Sequence, residues 1–238
     1  MVSAWLLVPV KGLACGKGRL GGCLDARARR ALNRYFLQRT LAVARAFPGA
    51  ARTLVVSECA RTLRVATDAG ARVALQRAGT GLNRAVAEGA DALRRLGAGV
   101  VVVLPADLPM LQARDVRALA AAAADPGSAA LCPDKHGTGT NGLAHHASAC
   151  LRTRFGEGSF AAHWQEALRA GVEPRRHVAP RIAFDVDTID DLAQWWLAGG
   201  ARELAGAARA DATLRELAGG LARAVPDGRA AASRTLSR

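Results

Sequence analysis

Apolar residues recur along this chain in two periods, and the alternation between them predicts the elements. Trp5 to Val10 is a short apolar run, closed at Pro9 and followed by a glycine-rich loop from Lys11 to Gly22; it predicts a buried first strand. Asp25 then stands as the cap of an amphipathic helix reaching about Phe47, ended by Pro48-Gly49. Thr53 to Ser57 predicts a second strand, followed by a helix to about Asp68, a break at Gly70 and a third short strand from Arg72 to Leu75. A loop holding Gly79-Thr80-Gly81 leads into a helix from Leu82 to Leu96. Val100 to Leu104 is the clearest strand, five apolar residues of which four are β-branched, suited to burial on both faces of a parallel sheet. Gln112 to Ala124 predicts a helix, Ala129 to Cys132 a strand, and Asp134 to Asn141 a polar, turn-rich loop. Phe160 to Ala170 predicts a helix, Arg181 to Phe184 a strand, and Ile189 to Leu197 a helix.

Strands that alternate with helices in this way imply right-handed βαβ units and a mostly parallel sheet covered on both faces. Ligands of such sheets bind beyond the carboxyl ends of the strands, so the chemical residues are expected just after strands. Residues 1–198 are read as one domain. Residues 199–238 are an Ala- and Arg-rich extension, expected to be helical or frayed, with disorder from Pro226 onward.

Charge changes the picture less than its size suggests. The formal net charge is +13, which invites a nucleic-acid reading. Of the 33 basic residues, however, 30 are Arg and three are Lys (Lys11, Lys17 and Lys135). The arginines are scattered, and no basic stretch is interleaved with aromatics for base stacking. Solvated helix faces and a local anion site account for them better. Five cysteines without a CxxC pair give no zinc spacing and no disulfide framework, so free thiols are expected. No apolar run approaches the ~20 residues of a membrane helix. The N-terminus has no cationic segment or cleavage site of a signal peptide, so a cytoplasmic protein is expected.

Five segments carry candidate chemistry. Lys11-Gly12-Leu13-Ala14-Cys15-Gly16-Lys17-Gly18-Arg19 fails as a Walker P-loop, because only three residues separate Gly12 from Gly16 and Gly18 replaces the Ser or Thr. It is a phosphate loop of another kind or a simple turn. In Leu104-Pro105-Ala106-Asp107-Leu108-Pro109 a carboxylate follows the most buried strand, where a metal bridging phosphates would need it; the plain alternative is a helix cap. In Asp185-Val186-Asp187-Thr188-Ile189-Asp190-Asp191, strand alternation would put Asp185 and Asp187 on one side, while Thr188 to Asp191 reads as a helix start. Gly137-Thr138-Gly139-Thr140-Asn141-Gly142, after Lys135, offers hydroxyls, an amide and glycine N–H groups to a small anion, or is a polar turn. Phe155-Gly156-Glu157-Gly158-Ser159-Phe160 opens a helix whose His163 is either a participant or a helix-surface residue.

Taken in order, VPVKGLACGKGRL, GLNRAV, LPADLP, GTGTNGL, FGEGSFAAH and DVDTIDDL resemble the CofC/FbiD guanylyltransferases of coenzyme F-420 biosynthesis over about residues 1–198. LPADLP and DVDT alone mark only the wider nucleotidyltransferase superfamily, which includes the molybdenum-cofactor enzymes; GTGTN followed by FGEGSF is more specific. The resemblance implies a Rossmann-like, GT-A-type α/β sandwich. It implies transfer of GMP from GTP to 2-phospho-L-lactate, phosphoenolpyruvate or 3-phospho-D-glycerate, with release of pyrophosphate. Asp107 and Asp187 would carry Mg2+, and with Lys17 form the catalytic group. Lys11, Gly12, Lys17, Arg19, Gly81, Asn83 and Asp107 would bind GTP, and Thr140, Asn141, Gly156 and Ser159 the acceptor. The partners implied are GTP and a small phosphorylated acid, with neither nucleic acid nor membrane, and a homodimer left open. Gly18 departs from the Ser common in the family's KSRL stretch, and residues 199–238 have no placed counterpart. The alternatives are a nucleotidyltransferase for a molybdopterin or sugar phosphate, and a basic nucleic-acid-binding protein.

Overall fold

The computed structural model describes residues 3–14, 17–77, 79, 81–149 and 151–225. The expected disorder of 226–238 and the thiols of Cys15 and Cys150 lie outside the described residues. By contact density the chain forms two compact units, Met1–Leu13 with Phe36–Asp185, and Ala14–Tyr35 with Val186–Arg238.

The first unit contains, in chain order, β1 (Ala4–Pro9), the part of α1 (Ala26–Ala46) from Phe36 onward, β2 (Thr53–Ser57), α2 (Ala60–Asp68), β3 (Arg72–Leu75) and α3 (Leu82–Arg95). It continues with β4 (Val100–Val103), α4 (Ala113–Ala122), β5 (Ser128–Pro133), β6 (Thr140–His146), α5 (Ser159–Arg169), β7 (Glu173–Arg176) and α6 (Pro180–Ala183). The strands form one seven-stranded sheet in the order β3-β2-β1-β4-β6-β5-β7. All pairings are parallel except those of β6, which runs against both β4 and β5.

The unbroken apolar strands are explained by two cores, one on each face. Leu6, Val8, Val100 and Val102 face the core shared with α2, α4 and the end of α1. Their neighbours Trp5, Leu7, Val101 and Val103 face the core shared with α3 and α5. Because successive strand side chains point to opposite faces, a strand buried on both sides cannot alternate apolar with polar.

Two expectations are corrected, and one strand stands where none was expected. The polar loop stops at Thr140, where β6 begins. Glu173–Arg176 is an edge strand that its polar composition concealed. Arg181 to Phe184 is not a strand: Pro180 opens the single turn of α6, proline being pre-set for the first helical position.

That turn is tied down by charge. Arg181 forks onto the buried Asp115 carboxylate with bonds of 2.8 and 2.7 Å, and Asp115 also accepts from the Gln112 N–H that it caps. Removing the guanidinium leaves a buried charge without its cation. Arg181→Ala is therefore expected to cost about 2 kcal/mol, read as a lower urea midpoint at unchanged m-value.

The second unit is helical: a 3-10 turn at Gly18–Leu20, the start of α1, then α7 (Ile189–Trp195), α8 (Ala201–Ala208) and α9 (Ala212–Ala224). Asp25 accepts from Ala28 N–H at 2.7 Å, as the sequence leads one to expect of a cap. Leu20, Leu32, Tyr35, Leu192, Trp195, Leu204 and Leu221 are buried. Gly200 lies so close to the Trp195 indole that a Cβ there would overlap the ring.

Candidate active site

The parallel strands β1, β2 and β4 end on the same edge of the sheet, and so does β5; the antiparallel β6 begins there. The residues that follow those ends are Lys11, Glu58, Asp107 and Lys135, and Thr140 opens β6. The first unit thus gathers its polar candidates at the edge where open α/β sheets bind ligands.

Beyond β1, β2 and β3 lies a cleft of about 200 Å³, lined by Pro9, Val10, Lys11, Glu58, Gln76, Gly79, Gly81, Leu82 and Ala85. Its rim is fixed by hydrogen bonds. The Gln76 amide donates to Gly81 O at 2.9 Å, and Gly79 N–H donates to the Glu58 carboxylate at 3.3 Å. Gly79 and Gly81 have φ of 77° and 80°, the left-handed region in which glycine is unstrained. Lys11, Gly12 and Gly81, all expected at the nucleotide, stand at or beside this cleft.

A second group gathers where β6 starts. Thr140 N–H donates to Ser159 Oγ at 2.9 Å, and Thr140 Oγ1 lies 3.0 Å from His163 Nδ1. Arg154 N–H donates to His163 Nε2 at 2.8 Å. Thr140, Ser159 and His163 are all buried, His163 completely, so the helix-surface reading of His163 is corrected. Burial pushes the His163 imidazole down to about 4. The neutral ring has one hydrogen. Since Nε2 accepts, the hydrogen is on Nδ1, which has Thr140 Oγ1 at 3.0 Å and the Ser159 carbonyl beside it as acceptors. Gly156 and Gly158 have φ of 138° and 65°, which bends the loop back so that Ser159 reaches Thr140.

Asn83, expected at guanine or ribose, uses its amide otherwise. Its Oδ1 accepts from Phe155 N–H at 2.7 Å and its Nδ2 donates to Phe155 O at 3.0 Å. It clamps the start of α3 to the FGEGS loop. Asn141, expected at the acceptor, donates to Ala183 O at 3.0 Å and so holds β6 to α6. Lys135 reaches back to Asp185, donating to its carbonyl at 3.2 Å, with the carboxylate 3.9 Å away.

In the second unit Lys17, at φ 53°, donates to Val186 O, which brings the glycine loop to the residue before Asp187. Arg19 is exposed. Asp191 accepts from both Asp187 N–H and Thr188 N–H at 3.0 and 2.9 Å, and Thr188 caps α7, as expected for a helix start. Residues 185–188 are not a strand, so alternation does not place Asp185 and Asp187 on one side.

Asp107 and Asp187 are half-buried carboxylates, one in each unit. Each by itself is a hard oxygen donor of the kind Mg2+ takes, and Mg2+ can be held by a single carboxylate together with substrate phosphates. Among the described residues no three His, Cys, Asp or Glu side chains form a ligand group of their own.

Sequence reasoning missed Glu58 and the Arg181–Asp115 pair. Glu58 follows β2 directly, so the rule that singled out Asp107 could have found it. The ion pair spans 66 residues and left no local signal.

Comparison with known proteins adds the last observation. A family model described as guanylyl transferase CofC like matches residues 4–206. A phosphoenolpyruvate guanylyltransferase of Rubrobacter xylanophilus is 40% identical over 199 residues, covering 84% of this chain and 96% of that protein. One from Sphaerobacter thermophilus is 36% identical, covering 78% and 89%. Among solved structures, a chain assigned as a nucleotide-diphospho-sugar transferase from Desulfovibrio desulfuricans superposes with a TM-score of 0.70 at 20% identity, covering 95% of this chain and all of that one. A 4-diphosphocytidyl-2C-methyl-D-erythritol synthase gives 0.59 at 15% identity, covering 83% and 98%. These likenesses show the nucleotidyltransferase fold.

Proposed function

The chain belongs to the CofC-like guanylyl transferase family, and we propose that it transfers GMP from GTP to phosphoenolpyruvate in coenzyme F-420 biosynthesis. The observation that carries the acceptor is the nearly end-to-end match to phosphoenolpyruvate guanylyltransferases, 96% of the Rubrobacter protein's length. In the reaction a phosphate oxygen of the acceptor attacks the α-phosphorus of GTP. The bond from the α-phosphorus to the bridging oxygen breaks, and pyrophosphate leaves with that oxygen. The nucleophile is already ionised, so no proton must be removed; alignment and charge neutralisation dominate.

Lys11, Lys17 and Arg19 supply positive charge to the triphosphate, with the Gly12 backbone beside it. Asp107 and Asp187 would hold Mg2+, which when bound neutralises phosphate charge. The acceptor is assigned to the Thr140–Ser159 corner. His163 Nδ1 carries the ring hydrogen and cannot accept one, so the Thr140 hydroxyl hydrogen is directed away from the ring, as a donor to the acceptor's carboxylate. Ser159 Oγ receives Thr140 N–H and keeps its own O–H as a second donor. Donors fixed before the substrate arrives need no reorganisation. Thr140→Val, nearly isosteric, is expected to raise the acceptor KM about tenfold and leave the GTP KM unchanged; equal rises in both would remove Thr140 from the acceptor site.

The test of the reaction is incubation with GTP, Mg2+ and each of phosphoenolpyruvate, 3-phospho-D-glycerate and 2-phospho-L-lactate, read by mass spectrometry. The expected result is pyrophosphate and a GMP adduct, formed fastest with phosphoenolpyruvate. Fastest adduct formation with another acid overturns the acceptor, and no pyrophosphate with any of them overturns the function.

A further inference from the structure

We infer that the cleft beyond β1, β2 and β3 receives the nucleobase, and that Glu58 there selects guanine. The inference rests on the proposed use of GTP and names how that site recognises it.

The cleft has a size and lining that suit a base. At about 200 Å³ it is smaller than the ~300–1,000 Å³ of pockets that enclose a whole ligand. It therefore suits one part of a nucleotide. Pro9, Val10, Leu82 and Ala85 give it apolar walls, matched to the faces of a flat ring. Lys11 stands in the same lining and opens the glycine loop. A base seated between these walls leaves its sugar and phosphates next to a cation.

Polarity then selects the base. Among the described residues of the lining, Glu58 is the only acidic one. A carboxylate has no hydrogen to give and only accepts. The Gly79 N–H, also of the lining, donates to one of its oxygens at 3.3 Å and leaves the other to a ligand. Guanine presents two adjacent donors on its pairing edge, N1–H and the 2-amino group, and a carboxylate can receive both. Adenine offers an unprotonated N1 there, cytosine an unprotonated N3, and uracil a single N–H between two carbonyls. Each of these sets at least one lone pair against the carboxylate. A negative side chain in a cleft for a triphosphate also repels its ligand, unless the ligand brings donors to it. A glutamate that only steadied the turn at Gly79 would make the same hydrogen bond and show no base preference.

Glu58→Gln separates the two readings. The amide oxygen can still accept from Gly79 N–H. Its NH2 turns one acceptor into a donor, which opposes the guanine 2-amino group and complements the 2-carbonyl of xanthine. With phosphoenolpyruvate as acceptor, kcat/KM is measured for GTP, XTP and ITP in the wild type, Glu58→Gln and Glu58→Ala. The XTP-to-GTP ratio is expected to rise about 100-fold in Glu58→Gln. The wild type is expected to prefer GTP over ITP, which lacks the 2-amino group, about tenfold, and Glu58→Ala to close that gap. Because the readout is a ratio, a general loss of activity does not imitate it. A ratio within about threefold of the wild type overturns the inference. Absence of pyrophosphate release from GTP by the wild type would defeat the proposed function instead. The base preference would then be judged by calorimetric binding of GDP and XDP to the same proteins, where an unchanged preference overturns it.

Discussion

Asp107→Ala and Asp187→Ala are each expected to lower GTP turnover by about 10³-fold while the protein stays folded. The reaction brings together a phosphorylated acid and a triphosphate, both strongly negative, and little else in it is difficult. The groups proposed to hold the neutralising cation should therefore matter more than any base. Asp187 makes a clean test because its structural contribution is made by its backbone: its N–H, not its carboxylate, is held by Asp191. Removing the side chain leaves that cap in place. Its neighbours provide the contrast. Asp191 receives two N–H groups at the start of α7, so Asp191→Ala should lower stability by about 1 kcal/mol. Asp190 is exposed in the first turn, and Asp190→Ala should change stability and turnover little. Turnover is read by pyrophosphate release and folding by thermal melting. Near-wild-type turnover in Asp107→Ala or Asp187→Ala would remove that residue from the metal site, and the two variants are judged separately.

The elements that could be read from the chain were those whose burial is uniform. Val100 to Val103 faces a core on both sides, and the run of four valines says so without reference to anything distant. The elements that could not be read are those whose environment comes from elsewhere. β6 begins in Thr140-Asn141-Gly142, which is turn chemistry by composition, yet it is held between β4 and β5. A Cβ at its Gly142 would stand 3.0–3.1 Å from Ile182, Leu119 and Cys132, which would have to give way. β7 reads EPRR and pairs on one side only, with β5, so no core face marks it. In α6, Ile182 and Phe184 favour a strand, and the proline before them decides for a helix.

The positions of the candidate residues in the fold were legible to the same degree and for the same reason. Lys11, Asp107 and Thr140 sit at strand ends, and a strand end is visible locally. The jobs of Asn83, Asn141 and His163 were not visible, because each is set by a partner across the fold: Phe155 for Asn83, Ala183 for Asn141, and Thr140 with Arg154 for His163. Read alone, an Asn beside a glycine loop is a ligand group. In the structure both ends of its amide hold backbone, and it shapes the site from behind. The entry to the FGEGS loop, Arg154 held by His163 and Phe155 by Asn83, is thereby fixed before any substrate is present.

That arrangement makes stability depend on pH in a definite direction. Burial is the main force on His163, lowering it from 6.5 to about 4, with the Ser159 carbonyl and then Glu166 partly opposing and Arg154 reinforcing the shift. Above about pH 6.5 the ring is neutral in both folded and unfolded chains, and its contribution is fully present. Below that value the unfolded chain takes up a proton that the folded chain refuses. Stability then falls by about 1.4 kcal/mol per pH unit, to a total of about 3 kcal/mol near pH 4. His145 and His177 are lowered by burial as well, so they act in the same direction. A protonated His163 would also turn Nε2–H toward Arg154 N–H, two donors face to face, and release the loop that carries Ser159. His163→Gln removes the titration while leaving an oxygen to accept from Arg154. Urea unfolding at pH 7.0, 6.0 and 5.0 is expected to show the wild-type free energy declining steeply over ~2 pH units, with the slope in His163→Gln shallower by about 1.4 kcal/mol per unit below pH 6.5. Parallel declines in the two proteins would mean that the acid sensitivity comes from other groups and that His163 is not held neutral by its site.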